Sequence, residues 1–155
     1  MANRGNPREG EIFRAYLDAV GLHSIAAATA AGLQATEWYA LSQLALADGL
    51  TSGQLSERTG LTTGATTRLI DRLERAGYVR RAADPADRRK VIVKPVSEAL
   101  AGIAALVAPA RRTIAAVLDR YTPEQRAVLF DYFEHAAPAF REATEQIRAG
   151  NVTPS

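Results

Sequence analysis

Between Thr63 and Lys90 the chain carries side chains suited to holding a polyanion and reading the edges of bases. Thr63, Gly64, Thr67, Arg68 and Arg72 fall on one face of a helical stretch, with small residues at its start and arginines along its length. Small residues let a helix end approach base edges closely, and an arginine just beyond can take guanine or phosphate oxygens, the role that suits Arg68. Arg72 is better spaced for the phosphate backbone. An ordinary solvated helix face has the same composition. What favours recognition is the next segment, Asp84-Pro85-Ala86-Asp87-Arg88-Arg89-Lys90, a turn opened by Asp-Pro and tipped with three consecutive cations between two strand-like runs, Val79–Ala83 and Val91–Lys94.

Other chemistry is poorly provided for. His23 and His135 are far apart, with no His-x-x-x-His spacing, no Gly-rich phosphate loop and no serine in a nucleophile elbow, so neither catalysis, a metal nor a cofactor is expected. Cysteine is absent, which rules out disulfides, thiolate metal sites and thiol-based redox sensing.

The elements that must carry the basic residues are legible in order. Thr51 and Gln54 have the spacing of a capping box, so a short helix starts near Ser52 and ends at Gly60, which can supply a left-handed closing residue. Thr62 caps a second helix, whose Thr66, Leu69, Ile70, Leu73 and Ala76 recur at three- and four-residue spacing before Gly77 ends it. Two short helices and then a hairpin form a winged helix-turn-helix.

Residues 33 to 95 resemble the MarR (multiple-antibiotic-resistance regulator) family of dimeric bacterial transcription factors. The family's core runs roughly Leu-Thr-x-x-x-Leu-(Ala/Ser)-Glu-Arg-x-Gly-Leu, then (Thr/Ser)-Arg-x-(Ile/Val)-Asp-Arg-Leu-Glu-x-x-Gly-(Leu/Tyr)-Val, then Asp-Pro-x-Asp-Arg-Arg. Here the three pieces read LTSGQLSERTGL, TRLIDRLERAGYV and DPADRR, in that order and spacing. Gly64 and the stretch VKPVSEAL depart from the pattern. The resemblance implies a repressor that binds a palindromic operator in double-stranded DNA as a homodimer, its recognition helix 62–76 in the major groove and its wing 84–90 in the minor groove. Asp87 would orient Arg89 into that groove, with Arg88 and Lys90 on phosphates. The family's small aromatic or phenolic effectors imply a pocket between the first helix and the DNA-binding lobe, where His23 and Trp38 could lie; Trp38 could equally be core and His23 an exposed residue. The alternative reading is a winged helix used for protein contact, its arginines binding an acidic partner.

The 155 residues suffice for one domain, mainly α with a small β-hairpin wing, and their apolar set is rich in alanine. Net charge is +2, yet residues 51–96 hold ten Lys and Arg against five acids, leaving nine against twelve elsewhere, a local basic face on a mildly acidic body. No run of about eighteen apolar residues and no leader are seen, so a cytoplasmic protein without membrane contact is expected. Residues 9–31 read as an amphipathic helix through Ile12, Phe13, Tyr16, Leu17 and Val20, and a further helix runs from Gln34 or Thr36 to about Ala47. Two long helices follow the wing, with Pro109 expected to kink or break the first and Pro138 to bend the second. Residues 9–31 and 97–148 carry more apolar surface than a small winged helix over 33–96 could cover, which suggests a helical dimerisation lobe. Residues 1–8 and 149–155 read as tails.

Overall fold

The computed structural model describes residues 6–150. Helix α1 (Pro7–Ala30) begins before the apolar periodicity does, because the Asn6 side chain accepts from the Arg8 amide at 3.1 Å and Pro7 sits where a missing N–H is harmless. The N-terminal tail therefore gives way to helix at Pro7, not Glu9. Residues 1–5 of that tail, and residues 151–155 of the other, lie outside the described residues.

Helix α2 (Ala35–Leu46) starts at a Gln34 cap, whose amide donates to Glu37 Oε2 at 2.9 Å. A two-residue strand follows, β1 (Leu50–Thr51), which alternation over so short a stretch could not reveal. Helix α3 (Ser52–Thr59) opens with the expected reciprocal capping box of Thr51 and Gln54, and Gly60 closes it at φ 68°. Helix α4 (Thr63–Arg75) is capped by the Thr62 hydroxyl, which accepts from the Ala65 amide. The hairpin of β2 (Val79–Ala83) and β3 (Val91–Pro95) is antiparallel, and β1 pairs with the other edge of β3, giving the order β1-β3-β2.

These elements enclose one apolar core. Leu41 and Leu44 of α2, Leu55 of α3, Leu69, Ile70 and Leu73 of α4, and Val79 and Val93 of the sheet are buried together. Truncating any of these leucines to alanine would cost about 2–5 kcal/mol. The face of α4 opposite this core is left to solvent.

Helix α5 (Ser97–Leu118) runs unbroken through Pro109, and helix α6 (Pro123–Arg148) through Pro138. The chain nevertheless divides into two compact units at Val107/Ala108, immediately before Pro109. Leu100 and Ile103 of α5 pack on the core of the first unit. By length and composition α5 could cross a membrane, with a mean hydropathy of 1.4 over its most apolar window, although Arg111 and Arg112 interrupt its apolar run. In α6 no side chain is buried.

Candidate nucleic-acid interface

The presentation of α4 is fixed by its turn. Ser56 Oγ donates to the Leu61 carbonyl at 2.6 Å, and the left-handed Gly60 reverses the chain between α3 and α4. Thr66, fully buried, donates its hydroxyl to the Thr62 carbonyl, so the start of α4 is anchored from below. Thr63, Gly64, Thr67 and Arg68 are all exposed on the outer face. The Thr67 hydroxyl donates to the Thr63 carbonyl at 3.0 Å, which leaves its oxygen as an acceptor and its methyl for apolar contact. A Cβ on Gly64 would meet nothing nearer than Arg68 Nη1 at 3.9 Å. Internal packing therefore does not require a glycine there. Arg68 makes no ion pair among the described residues.

Arg72 is differently placed. Its Nε donates to Glu37 Oε1 at 2.6 Å, and Glu37 also accepts from the Gln34 amide, so a buried carboxylate ties the N-terminus of α2 to the last turn of α4. Burial pushes the Glu37 carboxyl up, but the hydrogen bonds from Arg72 and the Gln34 amide, with the Arg72 charge, outweigh it and hold the group below the ordinary carboxylate value. The half-exposed Arg72 thus keeps only its terminal amino groups for an outside partner.

The wing tip is folded by its own acids. Asp84 Oδ1 accepts from the Ala86 amide at 2.8 Å, the Asp84 amide donates to the Lys90 carbonyl, and the Lys90 amide donates to the Asp87 carbonyl. Asp87 Oδ1 accepts from both the amide and the Nε of Arg89, at 3.1 and 3.2 Å. The Arg89 side chain is otherwise 91% exposed, held at its base with its outer amino groups clear. Arg88 and Lys90 are exposed and make no ion pair among the described residues.

Sequence reasoning missed two features of this surface. One is Glu37, thirty-five positions from Arg72, which no local spacing connects. The other is Arg81 on β2, whose guanidinium donates to Asp71 Oδ1 at 2.6 Å and to Glu74 Oε2, while its amide donates to Glu74 Oε1 at 3.2 Å. The Asp71 hydrogen bond and the two acidic charges outweigh partial burial and raise the Arg81 pKa above the ordinary guanidinium value. A signal existed: Asp71 and Glu74 share one helix face at i, i+3 spacing.

A cavity of about 440 Å³ opens beside these elements, lined by residues that include Ala30, Ala31, Ala76, Tyr78, Gly102 and Ile103 and by no charged side chain. Gly102 borders its open space, since a Cβ added there would meet nothing within 4 Å. The Tyr78 hydroxyl donates to the Ala31 carbonyl at 2.6 Å, joining the end of α1 to the start of the wing. Neither His23 nor Trp38 lines this cavity. His23 is exposed on α1, and Trp38 is half-buried against the core because its position on α2 faces Leu41 and Leu44's side of the helix. Among the described residues no cluster of His, Cys, Asp and Glu has the makings of a metal site.

The profile of the MarR family matches residues 31–90, which span α2 to the wing tip. A Bacillus subtilis (strain 168) protein named as the uncharacterized HTH-type transcriptional regulator YcgE is 36% identical over 138 residues, covering 89% of this chain and 90% of its own. Among solved structures, a MarR family protein from Bacillus stearothermophilus superposes with a TM-score of 0.69 at 23% identity, covering 90% of this chain and 98% of that one. A mutant of S. aureus MepR bound to an oligodeoxyribonucleotide gives a TM-score of 0.58 at 13% identity, covering 85% and 97%.

Proposed function

The chain belongs to the MarR family of DNA-binding transcriptional regulators and is not an enzyme; from that premise we propose that it is a cytoplasmic, ligand-responsive repressor that binds a palindromic operator as a homodimer. In this reading α4 enters the major groove and the wing tip the minor groove. The observation that carries it is the pairing of the cations. Arg68 on the outer face of α4, and Arg88 and Lys90 on the wing tip, have no ion-pair partner among the described residues, and Arg89 is held by Asp87 with its outer end clear. A restrained arginine loses less freedom on entering a narrow, strongly negative minor groove, whereas free cations suit phosphates. That MepR has this fold and is bound to an oligodeoxyribonucleotide supports DNA as the polyanion.

Homodimerisation is supported by large apolar side chains left exposed along α1 and α6, among them Tyr16, Leu17, Val128 and Phe133. A two-fold partner also supplies the second half-site contact, about one helical turn away. The effector reading draws on the cavity, whose volume falls within the range of about 300–1,000 Å³ usual for small-molecule sites. With no cation in its lining, it suits a neutral phenol better than an aromatic carboxylate.

Selection of bound fragments from random duplex DNA tests the reading. The expected product is an inverted repeat with half-sites about 10 base pairs apart. Failure to enrich any sequence would transfer the basic face to an acidic protein partner.

A further inference from the structure

We propose that Arg81, through Asp71 and Glu74, sets the angle between the wing and the recognition helix, acting as a positioning residue for DNA binding and not as a DNA contact. The proposal rests on the DNA-reading interpretation above. Arg81 follows Val79 by two residues on β2, so the two side chains leave the same face of the sheet. Val79 is buried in the core, whereas Arg81 lies where that face meets the flank of α4. There the guanidinium takes Asp71 Oδ1 at 2.6 Å and Glu74 Oε2, and the Arg81 amide reaches Glu74 Oε1 at 3.2 Å. A planar guanidinium holding two carboxylates has a fixed direction, which a lysine ammonium cannot reproduce. Three bonds to one strand residue restrain rotation of the hairpin in a way that one would not.

Leverage makes the restraint matter. The β2-β3 pairing ends at Ala83 and Val91, and the cations at 88–90 lie beyond it. Two strand residues, Ala82 and Ala83, separate Arg81 from Asp84 at the start of the turn, a reach of roughly 10 Å, so a swing of about 10° at the root moves the tip by roughly 2 Å. Recognition geometry tolerates only about 0.5 Å. Asp71 and Glu74 would otherwise repel phosphates from the very helix that must approach them; engagement by Arg81 offsets one of the two charges and turns both acids to a mechanical use.

The test uses the full chain with two alterations, the double variant Asp71→Asn/Glu74→Gln and the single variant Arg81→Lys. In DNA-free protein, backbone ¹⁵N relaxation should report lower order at residues 86–90 in both, with the helical circular dichroism unchanged. On the selected operator both should bind about tenfold more weakly, as expected for residues coupled in one network. Their salt slope should stay within about half a unit of the parent, because no phosphate contact is lost. Arg89→Ala, costly in the parent, should cost less than about twofold more in the double variant, since an unheld tip has little to lose. Unchanged tip order, tighter binding on removal of the acids, or full affinity in Arg81→Lys would each overturn the proposal, the last by making Arg81 a simple phosphate contact. If the parent enriches no DNA, the DNA-reading interpretation fails, and the relaxation measurement still decides whether the triad holds the wing.

Discussion

Arg68 and Arg72 sit one turn apart on the same helix and differ in what already holds them. Arg68 makes no ion pair among the described residues, so its replacement by alanine leaves the fold intact and tests the proposed outward contact. If that contact is bidentate to a base, Arg68→Ala should weaken operator binding by about 1–3 kcal/mol and relax preference at one position in each half-site. Lys90→Ala should instead weaken all sequences alike and flatten the salt dependence by roughly one unit. Titrations on matched and mismatched duplexes at several salt concentrations separate the two outcomes. Arg72 answers to Glu37, and here stability is the readout. Because the Glu37 carboxyl titrates below its ordinary value in the folded chain, its ion pair contributes fully above the unfolded value, about pH 4.3, and is lost as pH falls through the lower folded value. Glu37→Gln should therefore lower the melting temperature at pH 7 and show less further loss than the parent between pH 5 and pH 3. Equal acid sensitivity in the two proteins would remove the pair from any stabilising role.

At the scale of elements, the start of α4 opposes stability to function. Glycine in a helix costs up to about 1 kcal/mol relative to alanine. Nothing inside the chain needs the space above Gly64, whose added Cβ would meet only the flexible end of Arg68 at 3.9 Å. Gly64→Ala should therefore raise the melting temperature while weakening operator binding, if the helix end closes on DNA; an alanine variant that gains stability and keeps its affinity would show that the glycine serves no approach. The elements legible in the sequence were those whose ends are closed by neighbours in the chain. The Thr51–Gln54 box, the Thr62 cap, the left-handed Gly60 and the Asp87-held Arg89 all act across a few residues, and each is present in the structure. The short strand β1 was not legible, since two residues carry no periodicity and its reality depends on Val93 and Ile92 across the sheet. Pro109 misled in part, because a single lost amide is tolerated within a long helix and α5 continues past it. The Glu37–Arg72 and Arg81–Asp71–Glu74 contacts were hidden for the same reason as β1: partners that meet only once the core has formed leave no mark on local spacing.

For the whole molecule, the balance of apolar surface is the open question that a single chain poses. Phe130, Tyr132 and Phe133 cluster edge to face on α6 with ring centroids about 6 Å apart, yet Phe133 remains 41% exposed and none of α6 is buried. Apolar surface removed from water stabilises by about 25 cal/mol per Å², and obligate dimers commonly bury about 2,000 Å² or more. An aromatic set of this kind is therefore worth several kcal/mol to an association and nothing to an isolated chain. Phe133→Asp would place a charge on that exposed surface, and if the proposed dimer forms through it, the expected result by light scattering is a shift from dimer to monomer. The winged-helix core lies in the unit that ends at Val107, so the helical signal of α2 to α4 should survive the change. Operator affinity should fall far more than any single phosphate contact explains, by about a hundredfold or more, because the second half-site is then bound by an independent molecule instead of a tethered one. On a duplex carrying only one half-site, the parent and Phe133→Asp should bind equally weakly. A parent that is monomeric at micromolar concentration, or a Phe133→Asp protein that keeps the full advantage of the two-half-site duplex, would sink the dimer and leave the exposed face of α6 to some other partner.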